Sequence, residues 1–308
     1  MVKNKITAFA LSALFSISVK AQIVAENLME ISIGTVGVAT EFKSDLWGEN
    51  PNVSDVLRQI QEAGETDFDI AERIVLRQIL LTDVAGVEPL EKESNAYLDA
   101  RLAAMINQGF YEDILTLLGE IPEKQLTADL KRTRLKALFA LGKDAAVCSE
   151  ENMALFGEDE AYMRVICSDL SAEPLETTMA YEVYRDSGYD DGKFLNAAGD
   201  KLYRHLDVAM PKGKPDFWEL VITAKAFGTE IFNCDLTRGE KILLAENDYV
   251  SEEVREKAWE LLKKTSPKTS PDGKILDDLI QISNQRKKIE KNLPSDLLLK
   301  LIGTVRSE

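Results

Sequence analysis

From Asp55 onward, apolar residues recur at the i, i+3, i+4 intervals of an amphipathic helix. Tyr97, Leu98, Leu102, Met105 and Ile106 keep that rhythm, with Arg101 on the same face, and so do Tyr111, Ile114, Leu115 and Leu118. Between the two runs, Asn107-Gln108-Gly109 is a helix stop, because glycine accepts the left-handed backbone that closes a helix. The pattern returns twice. Leu135, Leu138 and Leu141 lead to Gly142 and a helix through Val147 and Cys148. Tyr162, Val165, Ile166 and Leu170 lead to Ser171 and a helix carrying Leu175, Met179 and Val183.

The turns at 109, 142 and 171 lie 33 and 29 residues apart, close to the period of about 34 residues of tetratricopeptide-type helix pairs. A helix pair cannot bury its apolar face alone, so pairs of this kind stack on their neighbours. The expected fold is all-α: an α-α superhelix of stacked antiparallel helix pairs, a TPR-like solenoid. An irregular α-helical domain is the alternative. Three stretches interrupt the helical rhythm. Ile31–Thr40 (ISIGTVGVAT) is β-branched and glycine-bearing, which predicts a short extended N-terminal arm or strand. Ala209–Pro215 (AMPKGKP) reads as a loop between helical blocks, and residues 265–273 (TSPKTSPDG) read as a linker. Beyond it, Ile275–Ile289 and Leu297–Ile302 are short and amphipathic. The expected organisation is therefore a leader over 1–21, an arm over 22–50, a helical-repeat domain over 51–208, a second helical block over 214–266, and a linker with C-terminal amphipathic helices over 267–308.

The leader reading rests on three features in order. Lys3 and Lys5 form a basic start, Ile6–Val19 is an apolar run, and Val19-Lys20-Ala21 offers small residues at a cleavage site before Gln22. That is the layout of a secretory signal peptide cleaved after Ala21. The run is short of the roughly 20 residues of a membrane span. An uncleaved N-terminal anchor is the alternative. No membrane span is expected after cleavage, and a periplasmic or secreted location follows.

Charge narrows the partners. The 308 residues carry 53 acidic against 37 basic side chains, a formal net charge of −16. The leader holds three lysines and no acid, and residues 251–308 hold 12 basic and 10 acidic residues, so the body in between is strongly acidic. That is the opposite of a nucleic-acid-binding footprint. An acidic body favours basic partners or divalent cations, or simply keeps the protein in solution. The basic stretch Arg286-Lys287-Lys288 with Lys291 reads as a solvated face or as a contact with an acidic surface, this protein's own body included.

Candidate chemistry is sparse. One histidine, His205, excludes sites that need two. Export permits disulfides. Cys148 and Cys167 flank Phe156-Gly157-Glu158, and two antiparallel helices meeting at that turn would bring the sulfurs to similar heights, so a Cys148–Cys167 disulfide is expected. Cys234 is left over, as a small buried residue or an intermolecular link. A Cys-His nucleophile pair with His205 has no other support. Gly34–Gly37 lacks the ending of a phosphate loop. Asp186–Gly192 imitates a calcium loop, but with Gly192 at the sixth position the first, third and twelfth ligands become Ser187, Tyr189 and Ala198, so it fails. Glu158-Asp159-Glu160 suits a helix start, where acids favour the macrodipole. Glu93-Ser94 is an isolated echo of the catalytic Glu-Ser of lytic transglycosylases, without the glycine-rich segment that should follow. No catalytic residue, cofactor or metal site is expected.

Asp45-Leu46-Trp47-Gly48, Leu135–Gly142 (LKALFALG), Arg164-Val165-Ile166-Cys167 and Leu244-Ala245-Glu246-Asn247 together resemble the uncharacterised exported helical-repeat proteins of bacteria, over most of residues 30–262. The chain is richer in Lys and Glu than the alanine-rich pattern of that group. The resemblance implies an all-helical exported fold with a cysteine pair in the central repeats, matched by Cys148 and Cys167, and no established activity. The functional expectation is an interaction scaffold or assembly subunit of the cell envelope, with a protein or peptide partner. A periplasmic enzyme acting on glycan or peptide through acidic residues in the superhelix groove is the alternative. A third possibility is a subunit whose Ile31–Thr40 adds a strand to a neighbour. Partner identity and oligomeric state stay open.

Overall fold

The computed structural model describes residues 35, 37–38, 44–47, 50–68, 70–171, 174–188 and 192–264. The expected leader, most of the arm, and the C-terminal amphipathic segments lie outside them. Fourteen α-helices and no strand occur among the described residues.

The first group comprises α1 (Val53–Glu65), α2 (Ile70–Leu81), α3 (Glu88–Lys92), α4 (Ser94–Gln108) and α5 (Tyr111–Gly119). Asn52 starts α1 by accepting the Asp55 backbone N–H at 3.4 Å. Val56, Ile60 and Ala63 then form the buried stripe that faces α4. Gly109 ends α4 with φ +75°; its own N–H donates to Ile106 O at 3.1 Å and that of Phe110 to Met105 O at 2.9 Å, the closure foreseen at this glycine.

Helix α4 also closes its neighbours. The last carbonyls of a helix have no partner within it. Arg101, fully buried, donates from Nε to Leu80 O at 2.6 Å and from Nη2 to Thr82 O at 3.5 Å, at the end of α2. Gln108 Nε2 donates to Ala63 O, Gly64 O and Thr66 O at 3.2, 3.1 and 2.7 Å, at the end of α1. In return, Arg73 of α2 donates from Nη2 to Gln108 O at 2.9 Å, and Arg77 binds Asp113 of α5 with Nη2–Oδ1 at 2.6 Å. The 3-10 turn Ser44–Trp47 joins this knot through Trp47 Nε1, which donates to Tyr97 Oη at 3.1 Å. Two further bonds tie the chain ahead of α1 to the loop after α2: Val38 N–H to Leu81 O at 2.9 Å and Val84 N–H to Thr35 O at 3.0 Å. Those groups of Thr35 and Val38 are thus engaged within the chain.

The next helix, α6 (Ala128–Ala140), starts at Thr127, whose hydroxyl accepts the Leu130 N–H at 3.2 Å, and ends before Gly142 at φ +65°. A single helix through Cys148 was expected here. Instead the chain makes two one-turn helices, α7 (Asp144–Val147) and α8 (Glu150–Met153). Local bonds win over helix continuation: the Ser149 hydroxyl accepts the Asn152 N–H at 3.4 Å and Asn152 Nδ2 donates to Ala146 O at 2.7 Å. Cys148 is therefore at the end of α7, not in one arm of a helical hairpin, and it is joined by a disulfide to Cys167 of α9 (Glu160–Ser171), with Cα atoms 5.6 Å apart. After α9 come α10 (Pro174–Asp186) and α11 (Lys193–Leu202).

Residues 204–216 are non-helical, as the AMPKGKP stretch predicts. The second block is α12 (Leu220–Phe227), α13 (Arg238–Glu246) and α14 (Glu252–Lys264). It does not simply extend a row of neighbour-to-neighbour pairs. Helix α13 packs on α4, and a Cβ on Gly239 would lie 1.9 Å from Ile106 O, so only glycine fits the crossing. The Phe217 ring lies 6.3 Å from Tyr111 and 6.2 Å from Phe139, and Trp218 stands edge-on to Phe139 and Phe156 at 5.3 and 5.6 Å. One contiguous apolar core runs from Val56 to Leu262.

Candidate functional site

A cavity of about 450 Å3 opens where α6, the start of α9 and the turn Phe217–Glu219 meet. Its volume falls within the range of small-molecule and peptide pockets. Asp129, Arg132, Thr133 and Lys136 line one wall from a single face of α6, at i, i+3, i+4 and i+7. Phe156 and Trp218 supply apolar surface, and Asp159, Tyr162, Asp216 and Glu219 the opposite polar wall.

The charges are largely committed to structure. Glu219 is the buried acid of the wall, 3% exposed. Its Oε2 accepts the Asp216 N–H at 2.9 Å and its Oε1 the Leu195 N–H at 3.0 Å, while Asp216 Oδ1 accepts the Trp218 N–H at 3.1 Å. This capping box satisfies the start of the turn and ties it to α11. Burial pushes the Glu219 carboxyl above its ordinary value, against the pull of those two N–H donors. Each of its oxygens thus accepts a backbone N–H, which makes Glu219 a structural cap of the cavity wall. Asp129 pairs with Arg132 at 3.5 Å, and Lys136 sits 5.7 Å over the Phe217 ring. The cavity thus combines charged side chains of both signs with the apolar surface of Phe156 and Trp218.

A buried polar cluster braces the junction of the blocks, and a half-buried one joins α10 to α11. Asp169 of α9, 6% exposed, accepts Lys225 Nζ at 2.7 and 2.8 Å and Tyr203 Oη at 2.6 Å. Tyr181 Oη donates to Asn196 O at 2.8 Å and lies 3.1 Å from Asp200 Oδ1, which also accepts Arg185 and Arg204. Burial and the adjacent carboxylates push the Tyr181 phenol up to about 12 and that of Tyr203 higher still. Tyr203 is a neutral donor that completes the buried Asp169, and Tyr181 caps the Asn196 carbonyl beside the half-buried Asp200, both structural roles.

The residues singled out by sequence are scattered. Cys148 and Cys167 are joined, both half-buried, away from any reactive partner. Cys234 is half-buried; burial first and Glu240 second push its thiol up, so it is a poor nucleophile, and Glu240 and Lys214 rather than His205 are the charges acting on it. His205 is exposed with φ +55° in the loop after α11. Glu93 is exposed between α3 and α4, outside the cavity. Residues 189–191 of the calcium-like stretch lie outside the described residues, and no group of three or more potential metal ligands occurs among those described. Glu158, Asp159 and Glu160 do lead into α9 as expected. No helix among the described residues is long and apolar enough to cross a membrane.

One surface runs against expectation. Leu175, Met179 and Val183 read as the core face of α10, yet they are 74, 62 and 64% exposed, the most exposed large apolar side chains among the described residues. The buried face carries Thr177, Tyr181 and Tyr184. Spaced i, i+4, i+8, the three outer residues form one stripe along the helix. Scattered exposed apolar residues are ordinary; these three are contiguous.

The chain matches no family model, no curated protein and no solved structure.

Proposed function

We propose that this protein is an exported interaction scaffold of the cell envelope that binds a protein partner through the outer face of α10. The observation that carries the reading is the Leu175–Met179–Val183 stripe on a helix whose opposite face is locked into the core by Tyr181 and Tyr184. Burying three such side chains against a partner contributes about 3–5 kcal/mol, enough to anchor an amphipathic helix in the helix-face mode. The Cys148–Cys167 disulfide fits an oxidising compartment, and the leader supplies the route: cleavage after Ala21 releases a chain starting at Gln22. Within the scaffold, the helix pairs of residues 51–208 stack as a TPR-like superhelix behind a short extended arm, and the second block braces them. The cavity serves as an accessory polar contact.

The test is capture from the envelope fraction with the mature chain, residues 22–308, beside a variant carrying Met179→Glu and Val183→Glu. Both positions are exposed, so the variant keeps the melting temperature. A discrete protein recovered by the wild type and reduced at least ~10-fold with the variant supports the reading; that loss corresponds to about 1.4 kcal/mol or more. Repeated captures with no specific protein, or recovery indifferent to the substitutions, would overturn it. N-terminal sequencing of the periplasmic protein checks export, with Gln22 as the expected first residue.

A further inference from the structure

The outer face of α10 has charged borders as well as an apolar centre. Glu176, Glu182 and Asp186 are exposed beside the stripe. Arg185 is directed to Asp200, and Arg204 offsets Glu182 at 3.7 Å, so the acidic character of the border rests on Glu176 and Asp186. A complementary occupant is therefore an amphipathic segment with an apolar seam and basic flanks.

This chain contains one. Ile275, Leu279, Ile282, Ile289 and Leu293 fall on one seam at intervals of 4, 3, 7 and 4 residues, the periodicity that places side chains along one side of a helix. Arg286, Lys287, Lys288 and Lys291 cluster in its second half against a single acid, Glu290, whereas Asp277 and Asp278 make its first half acidic, so the charge match belongs to the second half. We propose that residues 275–293 dock on the Leu175–Met179–Val183 face of the same molecule, occupying the partner surface until a partner displaces them. The inference rests on the reading of that face as an interaction surface and adds what covers it in the free protein.

The linker length bounds the reach of the segment. The last described helix ends at Lys264, ten residues before the segment starts. Ten extended residues reach about 35 Å, while a folded body of this size has a radius of gyration of about 19 Å. Tethering makes the encounter intramolecular, with an effective concentration on the order of millimolar. A contact worth only about 4 kcal/mol, equivalent to a millimolar dissociation constant, is then roughly half occupied without any further interaction. A second copy of α10 is a poorer occupant, because it would set acidic borders against acidic borders.

Cross-linking in the full mature chain tests this. In a Cys234→Ser background, Met179→Cys is paired with Ile282→Cys, and a short bismaleimide joins thiols that meet. The expected product has monomer mass and links 179 to 282, forming at least ~10-fold faster than when Ile282→Cys is paired with Glu65→Cys on the exposed side of α1. Lys287→Glu with Lys288→Glu slows the 179–282 reaction several-fold. Rates equal to the Glu65→Cys control, from position 282 and equally from Leu279→Cys, would overturn the proposal, as would products of dimer mass alone. Failure here is separable from failure of the scaffold reading. If the segment masks the face, Leu279→Asp with Ile282→Asp raises partner affinity in capture about two-fold, the limit for a mask that is half occupied. If only the masking is wrong, those substitutions leave capture unchanged while Met179→Glu with Val183→Glu still abolishes it.

Discussion

Arg101 is a fully buried guanidinium whose work is to end another helix. Burial lowers its pKa, yet it stays ionised at any physiological pH. Arg101→Met preserves most of the volume and removes the charge. The carbonyl of Leu80, now bonded at 2.6 Å, then loses a charge-assisted donor, and the longer 3.5 Å bond to Thr82 O goes with it. Each of the two orphaned buried acceptors costs about 1–3 kcal/mol. The cation stacked 5.3 Å over Tyr97 adds about 1 kcal/mol. Relief of the desolvation of the guanidinium offsets part of this. The expected net loss is about 2–4 kcal/mol, and Arg101→Lys, which lacks the fork, recovers less than half of it. Urea unfolding followed by circular dichroism and by tryptophan fluorescence is the assay, since Trp47 is bonded to Tyr97 and reports the same knot. With an m-value of about 3 kcal/mol/M, the midpoint falls by about 1 M. A midpoint within about 0.3 M of wild type would refute the idea that α4 side chains hold the ends of α1 and α2 in place.

Three further outcomes follow from the geometry. Reducing the disulfide, which closes a separation of 19 residues, removes about 3 kcal/mol in the chain-entropy model; hydrogen exchange should show the loss concentrated in residues 144–159, and uniform loss across the chain would count against it. Gly239→Ala forces a Cβ against Ile106 O and lowers stability by about 2–3 kcal/mol, read as an unchanged m-value with a shifted urea midpoint; an unshifted midpoint would disprove the tight crossing of α13 on α4. In alkaline titration at 295 nm, the phenols of Tyr97, Tyr111, Tyr181 and Tyr203 ionise late, because burial raises each of them. The sign follows: an acid with a raised folded pKa lends stability that is complete below its unfolded value near 10 and is lost as pH rises through the folded one, about 12 for Tyr181. Phenolate absorbance should therefore climb steeply together with unfolding above pH ~11; smooth titration of all eight tyrosines near 10 would show those rings to be open to solvent.

Local rules carried the reading of the helix boundaries. The helices flanking Gly109, the stop at Gly142 and the acidic entry to α9 all arise from short-range stereochemistry, and a periodic pattern exposes that directly; the cysteine pairing is as expected, although the helical hairpin from which it was argued is replaced by two one-turn helices. The face of α10 was misread because the helix is apolar on two sides: the i, i+4, i+8 row of Leu175, Met179 and Val183 looks more like a core than Thr177, Tyr181 and Tyr184 do. The tyrosine rings fill more volume, and the Tyr181 hydroxyl finds a partner in Asn196 O, so they won the interior. The break after Val147 turns on the side chains of Ser149 and Asn152, which periodicity ignores. The cavity wall had an unused signal in Asp216-Phe217-Trp218-Glu219, an Asp-x-x-Glu capping box repeated as Thr237-Arg238-Gly239-Glu240. The return of α13 onto α4 left no trace in sequence spacing, because contacts across more than a hundred residues have no period.

The loop at 204–216 has the look of a hinge between separable parts, with Arg204–Asp207 and Lys212–Lys214 open to a protease. Because Gly239, Phe217, Trp218 and Lys225 are seated in the first block, a cut there would sever the chain without parting the molecule. The two pieces would travel together through gel filtration and separate only in denaturant. Expressed as separate polypeptides, they would have to find each other before either could finish its core, which makes this loop a natural place to split the protein into complementing halves.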